Sequence, residues 1–255
     1  MFRFASMQRY FLELAYDGSN FFGWQVQPNQ RTVQAEIESA LSKLYSNENI
    51  GVVGCGRTDT GVHASQYYLH FDAIVKFAED DLVHKLNGML PKDIAISRAL
   101  LVSNDLHARF DADKRTYTYY ISQKKNPFNI NTSWYKRLDL DIKAMNEAAQ
   151  KCLGKKDFEC FSKVHTEVNN FICEVFECEW KYENAQYIFK VTANRFLRNM
   201  VRAMVGTFID VGLGRINLDE FEGILDSKNR SNAGTSVPAQ GLFLSEVKYN
   251  GLKDV

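Results

Sequence analysis

Long apolar runs and prolines are scarce in this sequence. Its 255 residues include only four prolines and no low-complexity segment, and no stretch of ~18 apolar residues could span a bilayer. The N-terminal stretch MFRFASMQRYF lacks the apolar core of a signal peptide. These absences disfavour membrane, secreted and disordered proteins, and we expect a cytoplasmic protein that does not bind membranes. The length and the 45% content of hydrophobic residues suit one large domain or two small ones.

Cysteine is too sparse and too irregularly spaced for a disulfide framework. There are five cysteines, an odd number, and no CxxC pair, which favours reduced thiols. A zinc site formed by Cys160, His165, Cys173 and Cys178 is conceivable, but the spacings fit no standard zinc pattern. Ordinary buried or surface thiols are the favoured interpretation.

Neither sign of charge is in excess. Lysine and arginine total 31, as do aspartate and glutamate, so no strong long-range field is expected. A balanced total still leaves room for a local basic patch, which is what nucleic-acid binding requires.

The hydrophobic pattern of the first half predicts the order β-α-β-β-α-β. Strands are predicted in QRYFLELAYDG, around residues 50–54 and 64–73, and in DIAISRALLV. The first helix follows Thr32, a good N-cap, and presents one apolar face. The second helix runs from about Glu79 to Leu90 and ends at Pro91.

The second half repeats this order with one added helix. RTYTYYISQ and GLFLSEVKY are predicted strands, FICEVFECEWKYE and QYIFKVTAN a hairpin, and helices are predicted at 139–153, 195–211 and 217–226. We therefore predict an α+β fold of two tandem ferredoxin-like halves, with mainly antiparallel sheets flanked by helices. The halves span residues 1–104 and 105–255, and a cleft between them is the expected ligand site. Whether the sheets join or pack separately stays open.

The segment GCGRTDTGVHA places Arg57 and Asp59 in the only dense glycine cluster of the chain. Its glycines permit unusual backbone conformations and the close approach of another backbone or a ligand. A turn held by an Asx-type hydrogen bond would explain Asp59. That structural interpretation leaves Arg57 and the length of the loop unexplained.

The predicted helix NRFLRNMVRAMVGTFIDVG combines a wide apolar face with Arg195, Arg198 and Arg202 along one flank. Guanidinium groups suit phosphates and carboxylates because their planar fork binds two oxygens. A solvated basic flank is the plainer interpretation. Arg202, however, lies close to the apolar stripe, and a partly buried arginine requires an anion, which an aspartate from the other half would supply.

Basic and aromatic residues interleave in KRTYTYY, where Lys114 and Arg115 precede Tyr117. This combination suits RNA, with phosphates paired and a base stacked. Each tyrosine, taken alone, is more often a packing residue. In the segment YDGSNFFGWQVQPNQRTVQ, we expect Trp24 to anchor the loop and not to hold a ligand.

Together these segments resemble the tRNA pseudouridine synthase A family. The resemblance rests on YDG and FGWQ between Tyr16 and Gln27, GRTDTGVHA, ARF and RTYTY, RFLRNMVRAMVGT, and PAQGLFL, which follow the family's order through nearly the whole chain. The GRTDTGVHA motif is highly specific, and the helix motif moderately so. The resemblance implies the pseudouridine synthase fold.

The resemblance also implies an isomerase that converts uridine to pseudouridine at positions 38, 39 and 40 of the tRNA anticodon stem-loop. It puts the catalytic aspartate at Asp59, the tyrosine that stacks on the uracil at Tyr117, and the aspartate's arginine partner at Arg202. Arg57 is then the arginine that displaces the base. The family needs no metal or organic cofactor and is typically a homodimer that holds tRNA across both subunits.

Several alternatives stay open at this stage. Asp59 could attack C1′ of the ribose or C6 of the uracil, or remove the C2′ proton to form a glycal, and Tyr117 is a weak candidate for the base at C5. A non-catalytic RNA-binding protein on the same scaffold is the main alternative, with Arg195, Arg198, Lys114 and Arg115 as RNA contacts. A metal-dependent hydrolase would use Asp59, His63, His70 and Asp72, although no clear set of three ligands emerges.

Overall fold

Alternating and β-branched segments form strands close to where the sequence predicts them. In the computed structural model, which describes residues 7–164, 169–250 and 252, the strands are β1 (Met7–Tyr16), β2 (Val53–Gly54), β3 (His63–Ile74), β4 (Ile94–Val102), β5 (Lys114–Ser122), β6 (Trp134–Tyr135), β7 (Gly154–Asp157), β8 (Ile172–Glu183), β9 (Gln186–Ala193) and β10 (Leu242–Lys248). The helices are α1 (Val33–Leu44), α2 (Glu79–Met89), α3 (Ile142–Gln150), α4 (Met200–Gly212) and α5 (Leu218–Ser227).

The described chain divides into two units. The first comprises the residues up to Asp113 together with the C-terminal segment from Leu244, and the second comprises Lys114–Phe243. Among the helices of the described ranges, none is long and apolar enough to cross a membrane.

In the first unit, β1 is the central strand of an antiparallel sheet. It pairs with β3 on one side and with β4 on the other, so that Leu12 lies opposite Leu69 and Ala99. The C-terminal strand β10 lies beside β3, and the short β2 pairs with β3. Both helices bury one apolar face, as Ile37 and Leu82 illustrate. The unit therefore has the predicted β-α-β-β-α-β order.

Thr32 precedes α1 with extended backbone dihedrals, as an N-cap residue should. Its side chain, however, makes no cap hydrogen bond, and its buried hydroxyl has no partner among the described residues. The position of the cap was predicted correctly, but the hydrogen bond that normally justifies it is missing.

The second unit has the strand order β5-β9-β8-β7, all antiparallel, and β6 pairs in parallel with β5. The predicted hairpin of β8 and β9 is confirmed, and its two turn residues, Asn184 and Ala185, both have positive φ (51° and 59°), as a type I′ turn requires. Aromatic rings pack between the sheet and the helices. The ring centroids of Phe189 on β9 and Phe208 on α4 are 5.3 Å apart, and Phe208 stacks on Phe221 of α5. The predicted fold class is confirmed.

The long helix predicted at 195–211 begins five residues later, at Met200. Asn199 has φ 66°, a left-handed conformation that cannot continue a right-handed helix. Arg195 and Arg198 therefore lie in the loop before α4, and the prediction that they share a helix flank with Arg202 is wrong. The apolar pattern predicted too early a start for the helix because Leu197, which lies in the loop before α4, is also buried.

A close approach of backbones constrains α4. A Cβ atom at Gly206 would clash with the backbone oxygen of Thr235, and the hydroxyl of Thr207 accepts a hydrogen bond from Gly234 N at 2.9 Å. The segment after α5 therefore packs directly on the helix backbone at a place where only glycine fits.

His70 ties β3 to the segment that follows β4. It is 4% exposed, and its Nδ1 accepts a hydrogen bond from Ala108 N at 3.0 Å. Burial lowers the pKa of His70 from 6.5 to about 4, and the charges of Arg9 and His107 act in the same direction. The imidazole is therefore neutral in the folded protein at neutral pH.

We predict that Gly206→Ala lowers the free energy of unfolding by about 1–3 kcal/mol, because the added methyl must displace a backbone carbonyl. The matched control is Gly223→Ala in α5, where a Cβ meets nothing within 4 Å. That control should raise stability by roughly 0.5–1 kcal/mol. Urea denaturation of the three proteins measures both changes, and equal effects at the two sites would contradict the packing described.

We also predict that His70 makes stability depend on pH. Because the folded pKa is lower than the unfolded one, its contribution is complete above pH 6.5 and is lost as the pH falls toward 4, by about 2–3 kcal/mol. His70→Asn, whose amide oxygen can still accept the hydrogen bond, should flatten this part of the profile. His84→Asn on the exposed side of α2 should leave it unchanged. Superimposable profiles for wild type and His70→Asn would disprove the assignment.

Candidate active site

The loop that carries Asp59 connects β2 to β3 in the first unit. At its start, Cys55 N donates to Tyr68 O at 2.8 Å, and the hydroxyl of Tyr67 donates to Gly56 O. The antiparallel neighbour strand therefore holds the first residues of the loop at two successive positions.

Thr58 is fixed by both its side chain and its backbone. Its buried hydroxyl lies 2.8 Å from the hydroxyl of Tyr16, and its carbonyl oxygen accepts a hydrogen bond from Trp24 N at 3.2 Å. Gly23, at φ 86°, lies so close that a Cβ atom there would clash with Thr58 O and come within 3.1 Å of the carbonyl carbon of Asp59. The segment that follows β1 therefore packs directly against the loop that carries Asp59.

A tight turn follows Asp59 directly. The carbonyl oxygen of Asp59 accepts a hydrogen bond from Val62 N at 3.1 Å, and Gly61 has φ 76°, as position i+2 of a type II turn requires. Asp59 is partly exposed, and Arg57 is exposed. Because the residues before and after Asp59 are both anchored, its carboxylate is presented from a backbone with little freedom.

The glycines of the loop serve different purposes. A Cβ at Gly54 would clash with the hydroxyl of Tyr67 and lie 2.7 Å from the indole of Trp24, so this glycine is required by packing inside the protein. A Cβ at Gly56 would meet nothing within 4 Å. The expectation that the glycines admit another backbone or a ligand is therefore wrong for Gly54, where two side chains fill the space, and stays a prediction for Gly56.

Trp24 has the anchoring position expected from the sequence. It is 3% exposed, and its ring stacks on Tyr67 with the centroids 4.2 Å apart. Tyr16, which the sequence marked only as the first residue of a motif, packs its ring edge on Tyr67 at 5.6 Å. Its role in holding Thr58 was missed, because a buried tyrosine in a strand gives no sign of which hydroxyl it will bind.

In the second unit, Tyr117 lies on β5 and is partly exposed. The ring of Phe196 meets it edge to face, with the centroids 4.9 Å apart and the planes at 83°. This contact fixes the orientation of the Tyr117 ring. Phe196 belongs to the loop before α4, and its contact with Tyr117 could not be derived from a helical periodicity.

Arg202 and Tyr119 bind neighbouring carbonyls of one segment. Arg202 Nε donates to Val237 O at 2.7 Å, and the hydroxyl of Tyr119 donates to Pro238 O at 2.8 Å. Burial raises the pKa of Tyr119, and the positive charge of Arg202 acts against this shift, as expected for neighbours. The strand RTYTY, the helix and the PAQG segment therefore meet at one place in this unit, and Tyr119 has a packing role.

The four residues considered as further RNA contacts, Lys114, Arg115, Arg195 and Arg198, differ in solvent exposure. Lys114 and Arg198 are exposed, and the ammonium of Lys114 lies 4.3 Å from the ring centroid of Phe176. Arg115 is partly buried and donates to Asn194 O at 2.9 Å, and Arg195 is also partly buried. Of these four residues, Lys114 and Arg198 are the exposed ones.

The residues considered for metal sites have structural surroundings. Cys160, Cys173 and Cys178 are buried, and burial raises the pKa of all three thiols, while His165 lies outside the described residues. In the part of the chain that the structure describes, no group of three His, Cys, Asp or Glu side chains could hold a metal ion.

The hydrolase candidates likewise have specific partners. Asp72 forms two hydrogen bonds of 2.8 Å with Arg9, and His63 Nδ1 lies 3.1 Å from both Gly18 N and Asp17 Oδ1. A single nitrogen cannot accept and donate at once. The backbone N–H of Gly18 always carries its hydrogen, so we assign His63 Nδ1 as an acceptor.

Comparison with known proteins agrees with these motifs. A family model described as tRNA pseudouridine synthase matches residues 14–111 and 148–250. Proteins named tRNA pseudouridine synthase A from Parabacteroides distasonis and Bacteroides fragilis are 47% and 45% identical, over 95% and 96% of this chain and 96% and 97% of theirs. A protein of the same name from Bacillus subtilis is 38% identical over 93% of this chain and 97% of its own. The chain belongs to the tRNA pseudouridine synthase family.

Proposed function

We propose that this protein isomerises uridine to pseudouridine in tRNA. Membership of the family supports the reaction class, and the similar proteins carry the name of this activity over almost their full lengths. The observation that carries the proposal is the anchored loop, which holds a single carboxylate, Asp59, between the pinned Thr58 and a tight turn. A loop so constrained presents one side chain in one direction, as a catalytic group requires.

The reaction breaks the bond between N1 and C1′, turns the uracil and reattaches it through C5. The base cannot turn within a stacked helix, so the nucleotide must first be flipped out, at a cost of a few kcal/mol. The protein must therefore supply a carboxylate, a surface for the flipped base and a group that occupies the vacated place.

We assign these tasks to four residues. Asp59 supplies the carboxylate, whether it attacks C1′ or C6 or removes the C2′ proton. Arg202 is its charge partner, Tyr117 stacks on the uracil, and Arg57 displaces the base. The exposure of Arg57 and the edge-on support of Tyr117 by Phe196 favour the last two roles.

We also propose the finer features that the family resemblance implies. The target uridines are at positions 38, 39 and 40 of the anticodon stem-loop, and the protein acts as a homodimer that holds tRNA across both subunits. Lys114 and Arg198 are exposed cations suited to phosphate contacts. Arg195 and Arg115, which are partly buried, are better suited to supporting the protein surface near them.

We predict that Asp59→Ala and Asp59→Asn both bind tRNA with a Kd close to that of the wild type but form pseudouridine about 10⁴-fold more slowly or not at all. Asparagine keeps the size and polarity of the side chain but cannot act as a carboxylate. The control is Thr60→Ala, an exposed neighbour that should keep full activity.

Filter binding and quantification of pseudouridine in a tRNA transcript provide the two measurements. Product formation by Asp59→Ala would rule out the proposed mechanism. A wild-type protein that binds tRNA without forming any product would support the non-catalytic alternative.

The second prediction separates the ring of Tyr117 from its hydroxyl. Tyr117→Ala removes the stacking surface and should weaken transition-state binding by about 1–3 kcal/mol, or ~5- to 150-fold in kcat/KM. Tyr117→Phe keeps the ring, so it should slow turnover only if the hydroxyl assists proton loss from C5.

Tyr120 on the same strand offers a matched control. It is also partly exposed, and its ring also meets a phenylalanine, Phe243, at 83°. Tyr120→Ala should leave kcat/KM within about 3-fold of the wild type once the fraction of folded protein is equal. Equal losses at the two positions would refute a stacking role for Tyr117.

A further inference from the structure

The loop between β5 and β6 exposes a phenylalanine on a hydrogen-bonded turn. Phe128 is 95% exposed, and its own N–H donates to Asn126 Oδ1 at 3.0 Å. Further bonds from Asn129 N to Asn126 O (3.3 Å) and from Thr132 N to Asn129 O (3.1 Å) continue the turn. Local hydrogen bonds therefore hold the backbone from which the ring projects into water, although a phenylalanine gains nothing there in the isolated chain.

Four cations are gathered around this loop. Lys124 and Lys125 lie at the start of the loop, and Lys136 and Arg137 follow β6; all four are exposed. Parallel pairing of β5 with β6 brings the two ends together, and Lys136 N donates to Ser122 O at 3.0 Å. The structure thus concentrates positive charge in a chain whose total charge is balanced.

A second aromatic ring lies beside these cations. Lys124, Arg137 and Tyr182 line one surface cavity of about 520 Å³, together with Gln123, Leu138, Asp139 and Ala185. Tyr182 is 54% exposed, and its ring is supported by Tyr187 at a centroid distance of 4.7 Å. Asp139 in the cavity and Glu183 next to Tyr182 are acidic, but the cations outnumber them by four to two.

We propose that the Phe128 surface, formed by Lys124, Lys125, Phe128, Lys136, Arg137 and Tyr182, binds RNA outside the active site. The two rings would stack on unpaired bases, and the four cations would pair with phosphates. A protein partner fits less well, because lysines are depleted from the cores of protein interfaces. The inference rests on the proposed function only in taking tRNA as the RNA that binds here.

The Phe128 surface follows β5 along the chain, and the length of β5 separates it from Tyr117. Tyr117 lies five residues before Ser122 on an extended strand, and at ~3.3 Å per residue the two are about 17 Å apart. This distance is several times the spacing of about 3.4 Å between successive nucleotides in a DNA strand, so it also exceeds one nucleotide step in RNA. The Phe128 surface therefore contacts nucleotides other than the target uridine and strengthens tRNA binding without taking part in the chemical step.

The experiment compares Phe128→Ala and the double variant Lys124→Ala/Lys125→Ala with the wild type. The control is Lys181→Ala in the neighbouring hairpin, where a lysine that is also exposed already pairs with Glu179 at 2.9 Å. For each protein, the Kd for an unmodified tRNA transcript is measured at several salt concentrations, together with KM, kcat, thermal stability and molecular mass in solution.

We expect Phe128→Ala to raise Kd and KM by about 5- to 100-fold while kcat and Tm stay unchanged. The double lysine variant should also weaken binding, and the slope of log Kd against log salt should fall by about 1.5. Lys181→Ala should behave as the wild type does.

Two outcomes would overturn the proposal. One is an unchanged Kd and KM in both variants. The other is loss of binding accompanied by dissociation of a dimer, which would assign the surface to a contact between two copies of the chain. Failure of the proposed function is recognised separately, because the wild type would then form no pseudouridine whether or not binding depends on Phe128.

Discussion

The hydrogen bond between the hydroxyls of Tyr16 and Thr58 is the constraint on which the candidate active site depends. Both groups are buried, and a buried hydroxyl left without a partner costs about 1–3 kcal/mol, so the two residues hold each other in place. Trp24 N fixes the backbone of Thr58, and Gly23 lets the two segments touch. The YDG and FGWQ segment thus acts as the support of the loop that presents Asp59.

In the second unit, backbone carbonyl groups hold two side chains in place. Two successive carbonyls, those of Val237 and Pro238, accept hydrogen bonds from Arg202 and Tyr119. The same segment lies on α4 at Gly206, where no side chain would fit. Three sequence motifs that are far apart along the chain are therefore parts of one packed arrangement, and a change in any of them would disturb the direction of Arg202.

Periodicity in the sequence predicted most of the strands and helices, because each element buries one regular face. The β8–β9 hairpin was predicted with its turn at the right place and with outer strand ends that differ by one residue, since the strands alternate and their turn is short. The predicted start of α4 was wrong because the left-handed conformation of Asn199 depends on contacts between residues that are distant in the sequence. One such contact is the hydrogen bond that Asn199 Nδ2 donates to Ser236 Oγ at 2.6 Å.

In the candidate site too, local motifs were predictable from the sequence and long-range contacts were not. The sequence identified Asp59 and Tyr117 through their motifs, but it could not show that Tyr16 holds Thr58 or that Phe196 supports Tyr117. These contacts join residues 42 and 79 positions apart, and they depend on how strands pair and loops pack. The different roles of Gly54 and Gly56 also follow only from their surroundings.

The proposed activity is the conversion of uridine to pseudouridine in tRNA. Mapping of pseudouridine in total tRNA from cells that contain or lack this protein tests it most directly. We expect pseudouridine at positions 38, 39 and 40 to disappear in the cells that lack the protein, while other pseudouridines remain. An identical pseudouridine map in both kinds of cell would contradict the account.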